Sequence, residues 1–456
     1  MTPHRTVAII GAGPAGVYAA DILQGRDETV EIDLFEKLPA PYGLVRYGVS
    51  PDHPRIKKIQ DALHDVLESP RIRLICNVEI GTDVTIDELR EAYDAVVIST
   101  GADRDVDLNI PGADLPGSFG GADFVAWYDG HPDAPQEWQL DAESVAVIGA
   151  GNVALDVARM IITQPHQLTQ TDIPDHVEAA FRQNPVRDLH LLIRRGPADV
   201  RFSPMELREL GARDDVDVIV DPADMELDEH AERMIAQFNQ RRIIMKTLAE
   251  WANTDPATRT AARRVHLHFY QQPAQIIGAG DAGSERVTAI EMERTTPDEL
   301  GRVTGTGETV THNVGAVYRT IGYRSTPVPG VPFDEVSGTI PDAAGRVLGS
   351  DGAAIPGLYA TGWIRRGPVG LIGSTKSDAA EAISSLLEDL AERPDVAPVG
   401  AADALRERLT AAVGWDGWLR IDEAERRLGE ERGRERTKIV NRAELLDHAR
   451  EMERSR

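Results

Sequence analysis

The chain opens on an apolar run, Val7-Ala8-Ile9-Ile10, which breaks at a glycine turn and resumes with helical spacing to residue 24. A short, uninterrupted apolar run bounded by turn residues reads as a buried strand. A second run, Val30-Glu31-Ile32-Asp33-Leu34-Phe35, alternates apolar and polar positions and closes on Glu36. A third, Ala95-Val96-Val97-Ile98, ends in Ser99-Thr100-Gly101. Strands alternating with helices predict a parallel sheet covered on both faces. The same order then recurs. Residues 144–148 read as a strand, 149–151 as a turn and 153–162 as a helix, and the strand 189–193 ends in Arg194-Arg195. Residues 163–188, rich in Gln, Pro and Asp, are expected to form a helix with loops. Residues 213–330 read as mixed strands and turns, with a polar helix near 228–250. A strand returns at Leu358-Tyr359-Ala360, followed by a glycine-rich turn from Gly362 to Gly373 and an amphipathic helix over 377–392. Beyond the Pro- and Ala-rich stretch 394–404 lies a charged helical tail that carries Trp415 and Trp418.

Length and composition narrow this picture. A chain of 456 residues predicts two or three domains. No apolar run approaches the length of a membrane span, and the first strand begins too early for a signal peptide, so a cytoplasmic protein without membrane insertion is expected. The net charge of −26 argues against nucleic acid, which needs a basic surface, but leaves room for a local basic patch facing an acidic protein. The single cysteine, Cys76, excludes an intrachain disulfide, a redox-active dithiol and a cysteine-ligated iron–sulfur cluster within these residues. Its apolar surroundings, Ile72-Arg73-Leu74-Ile75, read as core.

The glycines carry the chemistry. Gly11-Ala12-Gly13-Pro14-Ala15-Gly16 sits between a strand and a helix, where Gly11 permits a tight turn, Gly13 admits a pyrophosphate and Gly16 lets helix and strand pack. Glu36, at the end of the next strand, is placed to accept hydrogen bonds from ribose hydroxyls. Gly149-Ala150-Gly151-Asn152-Val153-Ala154 repeats the device with alanine in the third glycine position. Here the following strand ends in a pair of arginines, which suit a 2′-phosphate through charge-assisted bonds. The alternative for Arg194 and Arg195 is a pair of ordinary surface ion pairs. An acid after one loop and arginines after the other assign FAD to the first and NADP(H) to the second, and so hydride transfer from nicotinamide to flavin.

These motifs, with others spread in order from about residue 6 to 380, carry a specific resemblance. Pro41-Tyr42-Gly43-Leu44-Val45-Arg46-Tyr47-Gly48-Val49, Pro51-Asp52-His53-Pro54, Glu206-Leu207-Arg208-Glu209-Leu210 and Gly362-Trp363-Ile364-Arg365-Arg366-Gly367-Pro368-Val369-Gly370-Leu371-Ile372-Gly373 resemble the adrenodoxin reductase family, including its actinobacterial NADPH–ferredoxin reductase branch. The resemblance implies an α/β fold of two Rossmann-like dinucleotide-binding domains. An FAD domain would be split between residues 1–105 and 326–456, the latter with the helical tail, around an inserted NADP domain at 106–325. It implies FAD contacts at Ala15, Glu36, Leu44, Ile80, Trp363, Gly370, Leu371 and Ile372. It implies NADP contacts at Asn152, Val153, Ala154, Leu155, Arg194, Arg195, Glu206 and Gly370. Two positions depart from the family pattern: Val106 stands where an arginine is common, with Arg104 nearby, and Tyr270-Gln271-Gln272-Pro273 replaces a Ser-Pro strand.

The implied activity is hydride transfer from NADPH to FAD, then single-electron delivery to a ferredoxin-type iron–sulfur protein. By the same resemblance His53 joins Asp156 and Glu209 in a network near the flavin, where it supplies a proton or tunes the site. Its alternative role is to cap a turn. Arg233, Arg241 and Arg242, or the tail's Arg432, Arg434, Arg436 and Lys438, are candidates to face the acidic partner, although a solvated helix face explains either group. A diaphorase or quinone reductase acting on small acceptors, and a non-catalytic flavin- and NADP-binding subunit, remain open. A monomer is expected.

Overall fold

The computed structural model describes residues 5–281, 285–370, 372–393 and 397–450. Strand β1 (Arg5–Ile10) leads through a glycine turn into helix α1 (Pro14–Arg26), and β2 (Val30–Glu36), β3 (Ile72–Cys76) and β4 (Ala95–Ile98) follow. β1 lies between β2 and β4, all parallel, with Ala8 opposite both Asp33 and Val96. Their near-continuous Val and Ile content reflects burial on both faces. A strand from late in the chain, Ala354–Ala360, joins β4 in parallel, with Leu358 opposite Val96. This sheet has seven strands, and its first and last contributors are more than half the chain apart in sequence.

A second sheet, of six parallel strands, is built in the order Ser118–Gly120, Ala316–Arg319, β5 (Ser144–Ile148), β6 (Asp188–Leu192), Arg263–His268, Val216–Val220. Helix α2 (Asn152–Ile162) follows β5 and buries Leu155, Val157, Ala158, Met160, Ile161 and Ile162 on one face of the sheet. A three-stranded antiparallel sheet, Gln271–Ala279, Arg286–Pro297 and Val303–Asn313, covers the other face through Ile276, Val287, Ile290 and Met292 packed on Ala146, Ile148 and Leu192. Between the two main sheets the chain crosses at an antiparallel ribbon, where Asp105 pairs with Tyr323 and Arg104 with Arg324.

Two expectations need correction. The polar helix near 228–250 is two helices, Glu229–Gln237 and Asn239–Ala252. Phe238 turns the backbone extended between them, a break that polar periodicity does not register. The tail's basic residues form no solvated face. Arg434, Arg436 and Lys438 lie on a non-helical segment that threads the interior, 9%, 8% and 4% exposed. Their partners are Glu178 at 2.6 Å, Asp422 at 2.6 Å and Asp129 at 3.1 Å, while Arg432 is paired with Asp175. Spacing of charges along a sequence cannot separate a wet helix from a strap whose charges find partners elsewhere. The tail helix Trp415–Glu430 seals the first core, where Trp418 meets Tyr42 edge-on and Glu425 pairs with Arg46 at 2.5 Å.

Candidate active site

The first glycine loop has the geometry of a phosphate cradle. Gly11 has φ +101°, a conformation that favours glycine. A Cβ on Gly16 would collide with the Gly11 carbonyl oxygen, so only glycine lets α1 pack this closely. Gly13 differs: its backbone is extended, and a Cβ there would meet only Gly43 Cα, at 3.8 Å. The space beside it is open, at a helix N-terminus that no side chain caps. Unpaired amides and the positive end of the helix dipole favour an anion at such a place. Glu36 bonds the loop itself: the Ala12 and Leu38 amides donate to its carboxylate at 2.9 and 3.1 Å. Burial lifts its pKa above the ordinary carboxylate range, against the pull of those amides.

The flanking segments close over this loop. Tyr42 N donates to Ala12 O at 2.8 Å, and Gly43 follows with φ +49° against Gly13. Leu44, half-buried, opens the short helix Leu44–Tyr47 beside it. From the far end of the chain Gly362, at φ +77°, brings its backbone onto α1, where a Cβ would lie 2.7 Å from Ala15 Cβ. Trp363 comes next, its ring 6.4 Å from that of Tyr323. Gly370 has φ +89°, Leu371 lies outside the described residues, and Ile372 opens the helix Ile372–Glu392. Ile80 packs on the core beneath β3 and bridges Val84.

The second loop repeats the plan with one substitution. A Cβ on Gly149 would meet Thr320, whereas one on Gly151 would meet nothing within 4 Å. No side chain caps α2, which begins at Asn152 and continues through Val153, Ala154 and Leu155. Asn152 Oδ1 accepts the Ser203 amide at 2.8 Å and so anchors the segment entering helix α3 (Pro204–Gly211). Arg194 and Arg195 stand at the end of β6, exposed and half-buried respectively. Among the described residues neither guanidinium has a carboxylate partner, so the alternative of surface ion pairs is not what the structure places there.

The segment around Asp52 and His53 meets α2 and α3 at a largely buried charged cluster. His53 Nε2 lies 3.3 Å from Asp156 Oδ1 and 3.2 Å from Glu206 Oε2, and its Nδ1 lies 3.5 Å from Glu209 Oε2. Asp156 belongs to α2, Glu206 and Glu209 to α3, and His53 to the segment that follows β2. His53 does not cap its turn through its side chain. Glu206, expected among the nucleotide contacts, directs its carboxylate to His53 and Arg159 in this cluster. Sequence reasoning did not reach the cluster's centre, Arg159, which is 3% exposed. Its guanidinium binds Asp52 at 2.5 Å, Asp156 at 2.6 Å and Glu206 at 3.1 Å, and touches His53. The available signal was a lone charge in the apolar end of a helix, Ala158-Arg159-Met160-Ile161.

The electrostatics follow from the arrangement. Burial opposes the charged form of His53, but hydrogen bonds to Asp156 and Glu206 outweigh it and raise its pKa to about 10. Burial likewise opposes ionisation of Asp52 and Glu206, yet Arg159 and the His53 contacts hold both below the usual carboxylate range. Glu209, less enclosed, is raised by burial. Asp156 and Glu206 thus favour a protonated His53 beside the Arg159 guanidinium, where the segment after β2 meets α2 and α3.

Other predicted residues fall elsewhere. Cys76 is fully buried, its thiol pushed up well above its usual range by burial. Arg104 donates to Ser325 O at 3.2 Å in the ribbon. Arg233 and Arg242 are exposed and Arg241 half-buried, on two helices of the second domain. Among the described residues no helix is long and apolar enough to cross a membrane.

Comparison with known proteins places these features. Residues 5–183 match the pyridine nucleotide-disulphide oxidoreductase family. The chain is 41% identical to the NADPH-ferredoxin reductase FprA of Mycobacterium leprae, over 98% of this chain and 99% of that protein. It is 37% identical to the human mitochondrial NADPH:adrenodoxin oxidoreductase, over 96% of this chain and 91% of that one. The solved structure of Mycobacterium tuberculosis FprA in complex with NADPH superposes with a TM-score of 0.89 at 39% identity, covering 98% of this chain and all of that one.

Proposed function

The chain belongs to the family of NADPH–ferredoxin reductases and NADPH:adrenodoxin oxidoreductases, and we propose that it carries electrons from NADPH, by way of FAD, to a ferredoxin-type iron–sulfur protein. The observation that carries this reading is the unequal pair of loops in one chain. Both have open, uncapped helix N-termini beside an extended glycine, but Glu36 closes on one while Arg194 and Arg195 stand unpaired after the other. FAD, when bound, supplies the exchange between a two-electron nicotinamide donor and a one-electron acceptor.

The chain's own groups bind, orient and set charge. Gly11, Gly13, Ala15 and Gly16 would hold the FAD pyrophosphate, with Glu36 on its ribose and Leu44, Ile80, Trp363 and Gly370 lining the remainder. Gly149, Gly151, Asn152, Val153, Ala154 and Leu155 would hold the NADP(H) pyrophosphate, and Arg194 and Arg195 its 2′-phosphate. His53, Asp156, Glu206 and Glu209 are positioning residues in this reading. Anchored by Arg159, they hold a proton on the imidazole and keep the loops in register, since a small misplacement of the reacting groups is expensive in rate. Both proposed nucleotide sites draw on residues of one chain, which supports reading the protein as a monomer.

A reductase of this type should reduce cytochrome c with NADPH only when a ferredoxin is added. Equal rates with a small quinone and no gain from ferredoxin would favour the diaphorase reading instead.

A further inference from the structure

We propose that a transition-metal ion of the zinc type binds between the six-stranded sheet and the antiparallel sheet that covers it, held by His190, His268 and His312. The three come from separate strands: His190 from β6, His268 from the end of Arg263–His268 and His312 from Val303–Asn313. Pairing of β6 with Arg263–His268 sets His190 opposite His266, and His268, two residues on, returns to the same face. His190 Nδ1 and His268 Nε2 are 3.0 Å apart, and the His268 and His312 ring centroids 4.5 Å. One ligand nitrogen from each of the three lies within 4.8 Å of the other two. A tetrahedral ion with Zn–N bonds of ~2.05 Å needs neighbouring nitrogens ~3.3 Å apart, a separation small side-chain rotations reach from here.

The surroundings orient the rings as ligands. His312 Nε2 lies 2.7 Å from Oε1 of Gln271, which is 2% exposed. That oxygen only accepts, so the Nε2 proton points to Gln271 and the lone pair is on Nδ1. A second hydrogen bond of this kind is what fixes ring and tautomer in metal-bound histidines. His266 stacks on His190 but turns its Nε2 to Asp188 at 2.8 Å, which removes it from the ligand set. Imidazole donors favour zinc, copper, nickel and cobalt over magnesium or calcium. Three histidines leave the fourth position to water.

A second group, His53 with Glu206 and Glu209, also brings donor atoms together. There Arg159 already neutralises the carboxylates and touches His53, so a cation would have to displace a guanidinium. At the histidine cluster the nearby Arg294 is paired with Asp224, at 3.5 Å, rather than with a ligand histidine. An ion there would tie the covering sheet, through His312, to the sheet that carries β6. Ile193 N donates to His268 O at 2.9 Å, so the tie ends next to the Arg194 turn.

The test is equilibrium dialysis of the chelator-treated, FAD-loaded protein against micromolar Zn2+, with metal counted by elemental analysis. About one zinc per chain is expected for the unaltered protein and for His53→Gln. The double variant His190→Gln with His268→Gln should lose it while keeping its FAD. If that variant fails to retain FAD, His312→Gln serves in its place, with affinity lower by roughly tenfold or more. Co2+ added to the unaltered protein should give the visible absorption of a tetrahedral site, to the red of the flavin band. Zinc uptake no greater than in the double variant, or only the weak absorption of octahedral Co2+ in place of the tetrahedral bands, overturns the proposal.

Discussion

The imidazole of His53, on the segment that follows β2, lies 3.3 Å from the carboxylate of Asp156, in the first turns of the helix that follows the second glycine loop. This contact, repeated by Glu206 and Glu209, joins the halves of the nucleotide machinery through a titratable group. Its pH dependence has a definite sign. The pKa of His53 is raised from 6.5 to about 10, so its contribution to stability is fully present below about pH 6.5, declines above it and is lost as pH passes 10. The melting temperature of the unaltered protein should exceed that of His53→Gln most at pH 6 and converge with it near pH 10. A difference that does not change with pH would show that His53 is not held as a cation.

The two kinds of glycine in the first loop should respond differently to alanine. Gly16→Ala drives a methyl group into the Gly11 carbonyl oxygen and should prevent folding of the first domain. Gly13→Ala meets only Gly43 Cα at 3.8 Å, so the fold should survive. The methyl group would occupy the space offered to a pyrophosphate, and FAD affinity should drop by about tenfold or more, or ~1.4 kcal/mol. Circular dichroism and the FAD content of purified protein separate the outcomes. Equal FAD retention in Gly13→Ala would remove the cradle from the account.

Among the described residues Arg194 and Arg195 have no carboxylate to release, so their loss should be felt by a ligand. Replacing both with alanine should lower kcat/KM for NADPH by about 10- to 100-fold, as for one or two charge-assisted bonds of ~1.5–3 kcal/mol. NADH, which lacks the 2′-phosphate, should be little affected. Steady-state kinetics with both nucleotides decide it, and a parallel loss with NADH would contradict the assignment.

The tail should behave as structure. Arg46 and Glu425 are both fully buried and 2.5 Å apart. Glu425→Ala leaves the guanidinium without its partner and should destabilise the protein by ~3–5 kcal/mol. Urea unfolding measures this directly, and a change below ~1 kcal/mol would mean that water replaces the lost carboxylate.

The parts of the site built from consecutive residues were readable in the sequence, because glycine spacing, a strand before and a helix after are local facts. Glu36 and the arginine pair were readable for the same reason: each ends the strand after its loop. Arg159 was not, since its role rests on Asp52, Asp156 and Glu206 converging from three segments. The tail's basic residues could be read as a docking or solvated face because their partners, Asp129 and Glu178, lie more than 250 residues away in sequence. The histidine cluster was invisible until strand pairing set His190, His266 and His268 on one face.

The central claim is that one loop holds FAD and the other NADPH, with electrons passing between them. Anaerobic titration of the yellow protein tests it most directly. Stoichiometric NADPH should bleach the flavin band while the same concentration of NADH bleaches it far more slowly. Absence of bleaching by either nucleotide, or equal rates with both, would contradict it.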